Sequence, residues 1–357
     1  MRFLNLGCIT IILLAFVTFF SIDYPPQDVS ASTHDVASNQ SVNYPLNPYK
    51  ESVVESSNKV SFLFVGDLML GRHVEKLSLL YGFEYPYKNI STMLQSADYT
   101  VGNFEGTVPS KHKPTEAYTL QFSFADDAFH QAAVSGFDIL SLANNHSDDF
   151  GIDGYENTKN LCSLYEIVCT GHPSAVGEES VSYLHSNNET IAMISIDGTD
   201  KLSTTSIQKL LTQVERKSDL QFVYIHWGDE YKLYNNHIQQ TLAHFFIDNG
   251  VDLVIGHHPH VVQNLEIYRG KLVVYSLGNF VFDQYFSDDV QTGLMLGLEI
   301  AENHIQVTLF GIESIDSPSS PKLLSDDKEK KMFKRIFDPI DRYDGVDVEN
   351  GHIVIKR

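Results

Sequence analysis

The sequence predicts an α/β domain with a mixed sheet over about residues 59–312. Three observations predict it. Short apolar runs rich in Val, Ile and Phe alternate with segments of helical spacing, the rhythm of strands joined by helices. Paired runs, such as those flanking Asn187-Asn188 and Arg269-Gly270, read as hairpins and add antiparallel strands. Five runs end in a polar cluster, at the strand end where α/β folds place ligand sites.

Taken in order, Val60 to Val65 is a first strand running into Gly66-Asp67. Arg72 to Tyr81 and Lys88 to Ser96 carry helical spacing, and Tyr99 to Val101 is a strand ending at Asn103 and Glu105. Leu120 to Phe124 alternates as an edge strand would. The helix Asp126 to Ser135, closed by Gly136, leads to the strand Phe137 to Leu142 and the cluster Asn144-Asn145-His146. After the helix Gly151 to Tyr165, the strand Ile167 to Cys169, the first hairpin and the helix Ser206 to Arg216, Phe222 to Ile225 runs into His226. The helix His237 to Asn249 precedes Val251 to Ile255, which opens on Gly256-His257-His258-Pro259-His260. Gly293 to Ile300 and His304 to Phe310 form a last hairpin, and residues 313–357 read as a peripheral tail of one helix plus irregular chain.

Charge bounds the function. With 46 acidic against 25 basic residues the formal net charge is -21, which excludes the basic footprint of a nucleic-acid binder. An anionic substrate would need a local cation. No Cys-x-x-Cys pair occurs among the three cysteines, so a thiolate zinc knuckle is excluded. Cys162 and Cys169 are spaced to form a disulfide in an oxidising compartment; two buried thiols are the alternative.

Residues 3–22 are apolar and uncharged, the length of a membrane span, with Arg2 before them and Asp23 after. They read as a signal anchor with the folded part outside the cytoplasm, or as a signal peptide cleaved near Val29-Ser30-Ala31. Residues 23–58 are rich in Ser, Asn and Pro and read as a flexible linker.

A polar residue after a strand is commonly a turn former. Five such clusters at the same end of five strands point instead to one site: Asp67, Asn103 with Glu105, Asn145 with His146, His226, and His258 with His260. Carboxylates, an amide oxygen and imidazoles form a mixed O/N set suited to Zn, Mn or Fe. The set exceeds the needs of one tetrahedral ion, so one or two divalent metals are expected. His257 falls outside the i, i+2 pair and is expected not to be a ligand.

Six stretches carry a resemblance: Gly66 to Leu70, Gly102 to Gly106, Ala143 to His146 with Asp149 and Gly151, His226 to Tyr231, Gly256 to Gln263, and Tyr275 to Gln284. In that order they resemble the capsule-synthesis family typified by CapA of poly-γ-glutamate production, which is similar to calcineurin-like metallophosphoesterases. The resemblance implies a four-layer α/β/β/α sandwich in which two mixed sheets pack between helical layers. It implies Asp67 and His260 on a first metal, Asn145, His226 and His258 on a second, Glu105 in the place of the carboxylate that bridges them, and His146 as proton donor. Arg72 is a candidate to hold an anionic substrate group, and Asn279 to hydrogen-bond into the site. Trp227 and Tyr231 either line a groove or only pack. The sequence departs from phosphoesterases at Met69, where they carry histidine, and thioether is a poor ligand for a hard ion.

The implied role is synthesis, release or export of poly-γ-glutamate, or handling of another anionic polymer or ester, beside membrane synthetase subunits. The alternatives are a non-catalytic polymer-handling subunit and a phosphoesterase unrelated to capsule.

Overall fold

The computed structural model describes residues 59–357 apart from 117, 187–188, 339–344 and 350. The apolar stretch 3–22 and the linker 23–58 lie outside the described residues. Among the described residues no helix is long and apolar enough to cross a membrane.

The first half of the chain forms β1 (Val60–Leu68), α1 (Arg72–Tyr81), α2 (Ser91–Leu94), β2 (Tyr99–Phe104), α3 (Asp126–Ser135), β3 (Ile139–Ser141), α4 (Gly151–Leu164) and β4 (Val168–Thr170). Then come β5 (Val181–Ser186), β6 (Glu189–Asp197), α5 (Thr204–Glu215), β7 (Leu220–His226), α6 (His237–Asp248), β8 (Leu253–His257), β9 (Leu265–Tyr268) and β10 (Lys271–Val274). The chain closes with β11 (Asn279–Val281), β12 (Thr292–Ile300), β13 (His304–Glu313), β14 (Lys322–Leu323), α7 (Asp326–Phe337), β15 (Val346–Glu349) and β16 (His352–Lys356).

These strands make two mixed sheets. The larger runs β15-β16-β13-β12-β1-β2-β3-β4, with β11 beside β1 and β14 beside β13. The smaller runs β5-β6-β7-β8-β10-β9. In the larger sheet β1 to β4 are parallel, and β12, β13 and β16 continue it antiparallel. In the smaller sheet β6, β7, β8 and β10 are parallel between antiparallel edges.

Strand periodicity sorts the side chains into three cores. Phe62 and Phe64 of β1 meet Phe222 and Tyr224 of β7 in the core between the sheets. Leu63 and Val65 face the other way, against Val74 of α1, Phe129 of α3 and Leu161 of α4. Val223 and Ile225 of β7 likewise turn outward to Leu211 of α5 and Phe246 of α6. Helix, sheet, sheet and helix therefore stack in four layers, the α/β/β/α arrangement expected. The Tyr224 hydroxyl donates to the Val65 carbonyl at 2.7 Å, so the two sheets are also hydrogen-bonded through their core.

The structure differs from the sequence reading at three places. Residues 120–124 form no strand; only an isolated bridge joins Thr107 and Ser123, because this stretch packs as a loop over the site. Of Lys88 to Ser96 only the four residues of α2 are helical, preceded by a tight turn at Tyr85–Tyr87. The tail is not irregular. β16 pairs with β13 over His304 to Thr308, and α7 inserts Met332, Phe333 and Ile336 into the inter-sheet core. Cys162 and Cys169 are joined by a disulfide, with Cα atoms 5.9 Å apart.

Gly66 is required by a close approach. A Cβ there would lie 1.8 Å from the Gly278 carbonyl oxygen, where the β11 strand closes on β1. Replacing Gly66 by Ala is expected to destabilise the fold by at least about 2 kcal/mol, because backbone must move. A Cβ at Gly177 meets nothing within 4 Å, so Gly177→Ala is the neutral control. Urea unfolding midpoints of the two variants measure the difference; equal midpoints would contradict it.

Candidate metal centre

The site grows out of the inter-sheet core. On β2, β7 and β8 the inward positions continue directly into polar residues: Val101 to Asn103, Tyr224 to His226, and Ile255 to His257. On β1 simple alternation would turn Asp67 away, with Leu63 and Val65. The register against β2 shifts between Phe64 and Asp67, so one extra residue is accommodated and Asp67 joins the inner face. Four strands thus deliver polar side chains to the rim of one dry core.

Asp67 is fully buried and accepts a hydrogen bond from Asn103 Nδ2 at 2.8 Å. The same Asn103 nitrogen is 3.1 Å from His226 Nδ1. His226 Nε2 lies 2.9 Å from Asn145 Oδ1 and 3.1 Å from His258 Nδ1. His260 Nδ1 lies 3.0 Å from Asn279 Oδ1 and 3.2 Å from Asp67 Oδ2, and its Nε2 is 3.7 Å from Glu105. All six expected ligands, Asp67, Glu105, Asn145, His226, His258 and His260, therefore come together.

His146 faces this cluster with Nε2 3.9 Å from Glu105. Its Nδ1 is 2.9 Å from Asp149, whose carboxylate also accepts from the Phe122 backbone N–H. The imidazole stacks on Phe122 with centroids 3.9 Å apart. Asp149, one of the residues that carry the resemblance, fixes the His146 tautomer; the spacing of three residues within a tight turn was the available signal. Phe122 carried no signal of its kind in the sequence.

Arg72 does not present an open anion site. Its guanidinium grips the Asp283 carboxylate through Nε and Nη2, donates through Nη1 to the Thr119 carbonyl, and covers the Phe122 ring at 4.6 Å. It thereby buttresses the ring on which His146 stacks. Asn279 does hydrogen-bond into the site, but toward His260. Its amide nitrogen is taken by Gln284 and the Val290 carbonyl. Trp227 is buried in the outer core and donates to the Tyr275 carbonyl, which makes it packing; Tyr231 sits partly exposed at the rim. His257 is buried against Tyr224, 3.9 Å from Asp67, with neither ring nitrogen hydrogen-bonded.

The charges are strongly coupled. Burial alone would raise the Asp67 carboxyl, but His260 beside it holds it below the usual carboxylate range. Burial, reinforced by the Asp67 charge, pushes Glu105 well above that range. Burial opposes a charged His260, yet Glu105 and Asp67 outweigh it and raise it to about 9. Burial and neighbouring histidines lower His226 well below the ordinary value and His258 to about 4.

These residues fit a divalent ion. Asp67 Oδ2 and both Glu105 oxygens are buried without a hydrogen-bond partner. Buried carboxylate oxygens are costly unless a proton or a cation satisfies them. Asp67, Glu105 and His226 offer donor atoms all within 4.8 Å of one another.

The family model described as bacterial capsule synthesis protein PGA_cap matches residues 61–284. The chain belongs to this family. It is 31% identical over 258 residues to the PGA biosynthesis protein CapA of Bacillus subtilis, covering 64% of this chain and 65% of that protein. It is 31% identical over 252 residues to the capsule biosynthesis protein CapA of Bacillus anthracis, covering 64% and 61%. The match thus spans less than two thirds of either relative's length. A solved phosphatase from Mycoplasma pneumoniae overlays with a TM-score of 0.42 at 14% identity, over 75% of this chain and 91% of that one.

An ion bound by this cluster would have to displace protons. With His260 raised to about 9, its proton is present at pH 7 and leaves as an ion binds. Apparent metal affinity is therefore expected to rise with pH and to level off above about 9. Calorimetric titration with Mn(II) in two buffers of different ionisation enthalpy counts the protons; a release of zero at pH 7 would contradict the assignment.

Proposed function

We propose that this protein acts in the synthesis, release or export of poly-γ-glutamate at the cell surface, through a metal-dependent hydrolase-like site. The observation that carries the reading is the buried Asp67–Glu105 pair, with three orphaned oxygens among His226 and His260, in a PGA_cap chain. The relatives named for capsule and PGA biosynthesis support the polymer. The Cys162–Cys169 disulfide supports an oxidising compartment, as does the expected N-terminal anchor or signal.

Asp67, Glu105, Asn145, His226, His258 and His260 would hold Mn, Zn or Fe, as one or two ions. Such an ion supplies Lewis-acid polarisation of an acyl or phosphoryl oxygen and an acidified water. His146 presents Nε2 toward Glu105 while Asp149 fixes Nδ1, so it can hold a proton for a leaving group. Asn279 aims His260, and Asn103 aligns Asp67 with His226.

One observation favours a second reading, a non-catalytic subunit that handles polymer for a membrane synthetase. Met69 is buried, and its sulfur accepts from the Gly71 N–H, so the β1 exit supplies one metal ligand and no imidazole. Two measurements divide the readings. Metal content of the purified full chain is expected to be stoichiometric and to fall at least about 10-fold in affinity in Asp67→Ala and His226→Ala. Polymer output of cells carrying His146→Ala is expected to collapse while metal content stays at the wild-type level. Normal output from His146→Ala cells favours the non-catalytic subunit, and metal-free wild-type protein removes the hydrolase reading.

A further inference from the structure

We propose that Glu230 is a metal-binding residue: with His258 and His260 it forms a second cation position, on the solvent side of the buried Asp67–Glu105–His226 set, a grouping that exchanges His226 and His260 between the two positions the resemblance implies. The proposal rests on the metal-centre reading above and deepens it.

The donor atoms of Glu230, His258 and His260 all lie within 4.8 Å of one another, and this set shares no residue with the buried one. Glu230 is exposed, His258 half-buried and His260 buried, so the set grades from solvent inward. One carboxylate and two imidazoles are a donor set that Mn, Fe and Zn accept.

The backbone delivers Glu230 to this spot. It stands in the turn after β7, between Gly228 at φ 96° and Tyr231 at φ 63°. The Tyr231 N–H donates to the Pro259 carbonyl at 2.8 Å, which ties the turn to the residue between the two histidines. His258 and His260 themselves have φ of 92° and 56°, a left-handed backbone that non-glycine residues adopt only when the surroundings hold them there. The neighbouring acid has a different task. Asp229 accepts from Asn236 Nδ2 at 2.7 Å, and Asn236 caps α6.

Charge permits the assignment. The β1 exit brings only Asp67, since Met69 is sealed in the helix-side core. With Glu230 added, three carboxylates would face two divalent ions, which leaves the centre net positive. A positive centre can receive an anionic substrate in a chain of net charge -21.

The test uses the full chain, stripped with chelator and reloaded with Mn(II). Wild type is expected to bind two ions per chain and to show an exchange-coupled electron paramagnetic resonance signal. Glu230→Gln is expected to retain one ion, to lose the coupling, and to bind the second at least about 10-fold more weakly. Glu230→Asp, which keeps the carboxylate, is expected to recover part of the second site. An unchanged metal-free melting temperature in both variants excludes misfolding. Glu230→Gln protein that still binds two ions with wild-type affinity and coupling overturns the proposal and leaves the metal centre standing. Wild-type protein that binds no metal overturns the centre itself.

Discussion

Two carboxylates, Asp67 and Glu105, are sealed from water at the end of a dry inter-sheet core. That burial is the constraint on which the rest of the site depends. An unpaired buried carboxylate is costly enough that the group takes up a proton or finds a cation. Here the two respond differently. Asp67 stays ionised against its burial because His260 stands beside it and, to a smaller extent, because Asn103 donates to it. Glu105 lacks any hydrogen-bond donor and is driven toward its protonated form. A fold made for stability alone would replace such a pair with apolar residues of similar volume. That the chain keeps both, and rings them with imidazoles, is the physical case for a cation.

Meeting the constraint calls for backbone that is locally unfavourable. The irregularity in β1 brings Asp67 onto the inner face, and Gly66 lets β11 close to 1.8 Å of where a Cβ would sit. His258, His260 and Tyr231 all occupy left-handed conformations. Hydrogen bonds from Trp227 N to the His257 carbonyl and from Leu277 N to the Gly256 carbonyl hold the loop in place. These left-handed residues and the β1 irregularity sit at the strand ends, while β7 and β8 beneath them pair in regular register.

Much of this was legible in the sequence, for a physical reason. Strands buried on both faces read as short apolar runs, so Val60 to Val65 and Val251 to Ile255 announced themselves and exposed the polar residues after them. Helices α1 and α3 fell on their expected residues. Alternation at 120–124 misled, because Phe122 and Phe124 are buried beneath a loop and not along a sheet. The tail misled in the opposite direction: its polar composition masked Ile353 and Ile355, which alternate inward on a five-residue strand. Arg72 was placed near the site but given the wrong partner, since Asp283 is 211 residues away and no local pattern reveals such a pair. Glu230 stands beside Asp229 in the stretch His226 to Tyr231, and only the turn geometry separates the two acids.

The site is polarised in depth, and that bears on what can reach it. Its buried side is made of Asp67, Glu105, His257 and His260, while Asn145 and Glu230 are exposed. None of these groups is a lysine, and Arg72, the nearby arginine, is held by Asp283 and Thr119. His258, lowered to about 4, is neutral at physiological pH and adds no charge. A polyanion approaching the mouth of this site, in a chain of net charge -21, would find positive charge at the buried His260 and at any bound metal. Under the proposed function a bound ion would serve both the chemistry and the recognition of an anionic polymer, and affinity for that polymer would fall on its removal.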